Sequence, residues 1–151
     1  MPQLSSALLR GMEISLLVIE TAGKLKKTAA QLFKEFDLSP PQFNVLHLLA
    51  GAPDGLRAGD LAVGLLVDPS NITGLLSRLT AEGLVQTVAS PEDRRSRVVK
   101  LTAKGRARWQ KAHVVYAAAL QKLESKLTAQ ERVVMEKALF KIIEHSDDLI
   151  D

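Results

Sequence analysis

The chain holds one short passage of β character, and that passage decides its fold class. The runs LVQTVAS (84–90) and RVVKL (97–101) are rich in Val and Thr and flank a basic loop carrying Arg94, Arg95 and Arg97. Two short strands on either side of such a loop predict a β-hairpin with a projecting tip. Elsewhere the chain has helical periodicity, so the expected fold is mostly α with a single β-hairpin.

The helical signals fall on both sides of the hairpin. Residues 4–36 read as one long helix, with Leu4, Leu8, Met12, Ile19, Leu25, Leu32 and Phe36 at helix-like steps. Ser39 is the N-cap of a second helix, with Pro40 at its first position and Gln42 at capping-box spacing. That helix buries Phe43, Leu46 and Leu49 and stops at the Gly51–Gly55 turn. A short third helix covers about 57–65 with Leu61, Ala62 and Leu65 on its apolar side. A fourth is capped by Asp68 or Ser70 and runs to Gly83, which suits the left-handed position beyond a helix end. Beyond the hairpin, Thr102 caps a helix to about 126, and Thr128 with Glu131 opens a last one to about Ser146. Helix, tight connection, helix and then hairpin is a winged helix-turn-helix order, with the fourth helix as the recognition helix.

Charge placement points to an anionic partner. The net charge of the 151 residues is only +3, yet residues 94–111 hold eight basic side chains and no acidic one. On the fourth helix, Ile72, Leu75, Leu76 and Leu79 claim the inward side, which leaves Ser70, Asn71, Thr73, Gly74, Ser77 and Arg78 outward. Short polar side chains around a glycine are poor helix formers on an ordinary exposed surface, and they suit close approach to base edges. At the hairpin tip, Asp93 is placed to pair with Arg97 or Arg94 and brace the loop, leaving Arg95 to extend. A thin finger ending in a free arginine suits a narrow minor groove. Lys100, Lys104, Arg106 and Arg108 line the approach to phosphates, contacts that position a protein without reading sequence.

DPSNITGLLSRLTAEGLV followed by SPEDRRSRVVKLTAKG resembles the recognition helix and wing of the MarR (multiple antibiotic resistance regulator) family, and the order of helices at both ends is similar to that family too. The resemblance implies a homodimeric winged helix-turn-helix regulator that binds double-stranded DNA at a pseudo-palindromic operator. It implies a repressor relieved by a small aromatic or phenolic effector. Dimerisation helices are then expected over 1–36 and 103–151, with the DNA-binding lobe over 37–102. By the same carry-over, Ser70, Asn71, Thr73, Ser77 and Arg78 enter the major groove. Arg95 is the wing-tip residue beside Arg94, and Asp93 with Arg97 braces the wing. Lys100 and Lys104 contact phosphates.

Other function classes find less in the sequence. The three histidines, His47, His113 and His145, fall on three predicted helices without metal-ligand spacing. No nucleophile elbow or phosphate-cradling glycine loop occurs, so neither an enzyme nor a cofactor or metal site is expected. His47 reads as a packed or half-exposed helix residue, and Trp109 and Tyr116 as core or interface. The absence of cysteine excludes disulfides and thiol-based sensing. Glu13 interrupts any signal-peptide core and no run approaches membrane-spanning length, so an unprocessed cytoplasmic protein is expected. A winged helix used for protein contact is the remaining alternative, and the tip arginine and polar recognition face weigh against it. RNA is disfavoured by an aromatic content of only 4% and by the inaccessible major groove of A-form helices.

Overall fold

A computed structural model of the chain describes residues 13–91, 93 and 95–146. Helix α1 spans Ile14–Phe33 and ends in one 3-10 turn, Lys34–Phe36, closed by Asp37 in a left-handed conformation. The expectation of one continuous helix over 4–36 is corrected at Glu13, which is non-helical (φ −59, ψ 148) and sits as N-cap before Ile14, while residues 4–12 lie outside the described residues. Helices α2 (Pro40–Ala50), α3 (Ala58–Leu65) and α4 (Pro69–Ala81) follow, then strands β1 (Val85–Ala89) and β2 (Arg97–Leu101). Helices α5 (Ala103–Glu124) and α6 (Ala129–Glu144) complete the order.

Local chemistry sets these boundaries. Ser39 and Gln42 form a reciprocal capping box that satisfies two N–H groups left free at the start of α2. Asp68 caps α4 by accepting from the Ser70 N–H at 2.8 Å. Thr128 and Glu131 form the second reciprocal box, at α6. Gly83 leaves α4 with φ +71, a conformation that suits glycine because it has no Cβ.

The chain divides into two units, Met1–His113 and Val114–Asp151. In the first, the core is built from Phe33, Phe43, Leu46, Leu49, Leu61, Ile72, Leu79 and Leu84, all essentially inaccessible. Fully burying an aliphatic or aromatic side chain of this size contributes about 1.5–3 kcal/mol. Phe33 and Phe43 stack with ring centroids 4.2 Å apart, which ties α1 to α2. On α4 the inward side is narrower than expected: Ile72 and Leu79 are buried, whereas Leu75 and Leu76 are half-buried.

The hairpin pairs β1 and β2 antiparallel, from Val85 opposite Leu101 to Ala89 opposite Arg97. A two-stranded hairpin is marginal by itself. Here Val85, Val98 and Val99 are buried in the core, and Leu56 exchanges two backbone hydrogen bonds with Val99 at 3.1 and 2.8 Å. Helix α5 starts hard against the entry to β1. A Cβ added at Gly105 would sit 1.9 Å from the Leu84 carbonyl oxygen, so the close approach depends on this glycine.

In the second unit, no described residue of α6 is buried. Val133, Val134, Met135, Phe140 and Ile143 are all at least 49% exposed. Among the described residues no helix is long and apolar enough to cross a membrane.

Candidate nucleic-acid interface

Helix α4 presents the polar face expected of it. Ser70, Asn71, Thr73, Gly74, Ser77 and Arg78 are all exposed. The Ser70 hydroxyl donates to Asp68, and Thr73 Oγ1 donates to the Pro69 carbonyl at 3.4 Å. The side chains of Asn71, Ser77 and Arg78 have no hydrogen-bond partner among the described residues. Asp68 itself lies below the usual carboxylate range, held there first by the Ser70 hydroxyl and then by the Ser70 N–H.

The wing is braced differently from the sequence expectation. Asp93 accepts from the Arg95 N–H at 2.9 Å through Oδ1 and from the Ser96 hydroxyl at 2.9 Å through Oδ2, which closes an Asx-type turn. These two bonds, the Arg95 N–H foremost, hold its carboxyl below the usual range, with a smaller pull from the Arg57 charge. Arg97 does not pair with Asp93. Its Nη2 donates instead to the Thr87 carbonyl across the hairpin at 3.2 Å. An aspartate satisfied by donors two and three residues ahead has no need of a distant guanidinium. Arg94 lies outside the described residues. The Arg95 side chain is exposed at the tip, and its guanidinium has no partner among the described residues.

Of the expected phosphate contacts, Lys100 is half-buried on β2. Lys104 is exposed but occupied: Nζ donates to the Glu82 carbonyl at 2.7 Å, covering a carbonyl at the end of α4. Glu82 was not singled out in the sequence, yet three elements meet there. Its Oε1 accepts from Gln42 Nε2 at 3.1 Å, and Oε2 lies 3.3 Å from Arg108 Nη1. Thr102 is a second junction that sequence reasoning saw only as a cap. Its hydroxyl accepts from the Gly105 N–H at 2.9 Å and is shared between the Gly83 and Leu84 carbonyls at 2.7 and 3.2 Å. Together these contacts fix the end of α4 against the wing and α5.

A ring cluster lies on α2 and the early part of α5. Trp109 Nε1 donates to His47 Nδ1 at 3.2 Å, and the His113 ring lies 5.4 Å from that of His47 and 5.0 Å from that of Trp109. Because an indole N–H only donates, His47 Nδ1 must be unprotonated. Burial, and secondarily the charge of His113, lower the His47 pKa from its ordinary value. Among the described residues no group of histidine and carboxylate side chains is arranged to hold a metal ion.

Comparison with known proteins agrees with this geometry. A model described as MarR family matches residues 36–96. The chain is 37% identical over 93 residues to the transcriptional activatory protein BadR of Rhodopseudomonas palustris, across 60% of this chain and 53% of that one. It therefore spans about half the length of that relative. It is 33% identical over 108 residues to the multiple antibiotic resistance protein MarR of Escherichia coli, across 71% of this chain and 74% of that protein. A mutant of that MarR solved with operator DNA superimposes with a TM-score of 0.75 at 29% identity, covering 85% of this chain and 92% of the other. CouR of Rhodococcus jostii, solved with p-coumaroyl-CoA, superimposes with a TM-score of 0.80 at 25% identity, covering 86% and 91%. By its winged helix-turn-helix order and its match along most of an established member, the chain belongs to the MarR family.

Proposed function

We propose that the protein is a homodimeric, sequence-specific DNA-binding transcriptional regulator. The observation that carries this reading is the outer side of α4, where Asn71, Ser77 and Arg78 stand exposed without internal partners. Polar side chains with no internal role are free to meet base edges in a major groove. Ser70 and Thr73 extend that surface, and Arg95, with Arg94 and Arg97, supplies cationic reach toward a neighbouring minor groove. Lys100 contributes to the phosphate approach. Lys104 commits one of its three ammonium donors to the Glu82 carbonyl and keeps two for a phosphate.

Residues 37–102 form the DNA-binding lobe in this reading, and residues 1–36 and 103–151 the dimerisation elements. The exposed apolar side chains of α1, among them Ile14 and Ile19, and those of α6 supply surface for the second copy. Two-fold symmetry then calls for an inverted-repeat operator with half-site centres about 10 bp apart or a multiple of this. The protein acts in the cytoplasm, catalyses no reaction, and represses until a small aromatic ligand favours the arrangement that does not bind DNA. The CouR complex, whose ligand carries a phenolic acyl group on coenzyme A, supports the aromatic character of such a ligand.

Selection from a random duplex library with wild type and Arg95→Ala tests the reading. Enrichment of an inverted repeat by wild type, weakened in a folded Arg95→Ala dimer, is the expected result. A folded wild-type dimer that enriches nothing overturns it. The activatory relative BadR gives the opposite regulatory sign a basis, and a reporter placed behind the selected operator decides between the two.

A further inference from the structure

Beside the polar face of α4 lies a groove with an apolar floor. Pro41, Val67, Gly74 and Leu75 supply its apolar lining, Ser39, Ser70, Asn71 and Arg78 its polar lining, and its volume is about 450 Å³. Asn71, Gly74 and Arg78 follow one another at steps of three and four residues, so they form one ridge along the helix. The centre of that ridge is empty. A Cβ added at Gly74 would meet nothing within 4 Å, so no internal packing asks for a glycine there. Glycine inside a helix costs about 1 kcal/mol relative to alanine. Gly23 and Gly59 have equally open surroundings, but of these three only Gly74 lies in a groove rimmed by candidate base readers.

The edges of base pairs offer few groups that suit such a notch. In the major groove the donors and acceptors of adenine, guanine and cytosine are polar, and the one apolar group is the 5-methyl of thymine. Asn71 has the donor and acceptor needed to read adenine N6 and N7, and Arg78 the donors needed to read guanine O6 and N7. We infer that the notch between Val67, Gly74 and Leu75 receives a thymine 5-methyl group in each half-site, so that Gly74 is a specificity-determining position of the α4 face. The inference rests on the proposed DNA-binding function and adds to it a required base and the atom recognised. The alternative occupant, an apolar side chain of a protein partner, is separated by the experiment.

Deoxyuridine differs from thymidine only by that methyl. Each thymine of the selected operator is replaced by deoxyuridine in turn, and the affinity of the full-length dimer is measured. One thymine per half-site is expected to weaken binding about fourfold when replaced, the value of one methyl-sized apolar contact, and about fifteenfold when both halves are changed. Gly74→Met fills the notch with a good helix former. It is expected to melt no lower than wild type and to bind the thymine and deoxyuridine operators equally. If Gly74→Met no longer binds DNA, Val67→Thr keeps the shape while making the wall polar, and it too is expected to lose the preference. An operator without thymine in its half-sites, a scan with no position above twofold, or an undiminished preference in the binding variant overturns the inference. In each of these cases DNA binding itself stands. A wild-type dimer that selects no sequence overturns both readings.

Discussion

Glu82 Oε2 and Arg108 Nη1 lie 3.3 Å apart and join the end of α4 to α5 across 26 residues of sequence. The same carboxylate accepts from Gln42 at the start of α2, so one side chain holds the candidate recognition helix against two others.

Replacing Glu82 with Gln separates the contribution of this junction to position from its contribution to stability. The ion pair is partly solvated, with side chains 25% and 39% exposed, so its loss is expected to cost only about 0.5–1 kcal/mol. That corresponds to a fall in Tm of roughly 1–4 °C. DNA affinity at 25 °C, where the variant remains folded, is expected to fall by more than the stability loss alone would give. Calorimetric melting and operator titration on the same sample check both.

Gly105→Ala tests the contact between α5 and the start of β1. The new Cβ would meet the Leu84 carbonyl oxygen at 1.9 Å, and that oxygen belongs to backbone that cannot rotate away. A loss of about 2–4 kcal/mol is expected from this overpacking, read as a lower midpoint in urea. Ala107→Gly, an exposed change two residues along the same helix, is expected to cost about 1 kcal/mol.

The ring cluster predicts a pH response in the only tryptophan of the chain. The folded pKa of His47 is lowered, so the unfolded state binds the proton more readily. The stability linked to this group is therefore complete above the unfolded value of about 6.5 and is lost as pH falls from there through the folded value. Protonation of Nδ1 also ends its acceptance from Trp109. Trp109 emission is expected to change with a midpoint below about 6.5 in wild type, and His47→Gln is expected to lose that component.

Asp93 responds in a different pH range. Its folded pKa is lowered by the bonds from Arg95 and Ser96, so bracing is complete above the ordinary carboxylate pKa of about 3.9. It fades as pH falls through the lower folded value. Protection of the Arg95 amide from hydrogen exchange is expected to follow that course. Asp93→Asn, which keeps an acceptor oxygen without an ionisation, is expected to show an amide environment independent of pH over the same range.

What the sequence made legible was chiefly local. Ser39 with Gln42 and Thr128 with Glu131 are partners within three residues, and their spacing alone specifies the bond, whereas at α4 the sequence left Asp68 or Ser70 as the cap and the structure has Asp68 accepting from Ser70. The hairpin and the outward face of α4 follow equally from periodicity and β-branched composition. Less legible were contacts that depend on how elements meet. Gln42 reaches Glu82 over 40 residues, and Trp109 reaches His47 over 62. Asp93 differs for the opposite reason. A charge-pairing reading looks to Arg97 or Arg94; Arg94 lies outside the described residues, and in place of Arg97 Asp93 takes a neighbouring backbone N–H and a serine hydroxyl. Leu66 also gave no warning: it holds the turn between α3 and α4 at φ 52, left-handed and 94% exposed.

Because Asp93 shapes the wing through an amide and a hydroxyl, and Arg97 rests on a neutral carbonyl, neither Arg95 nor Arg97 is neutralised by a described carboxylate. Each keeps a full charge able to displace a condensed cation from the DNA. Every phosphate so neutralised adds about 0.9 to the slope of log affinity against log salt. The wing is thus held in shape without spending its charge, so that, on the DNA-binding function proposed above, part of the binding free energy is the entropy of ions returned to solution.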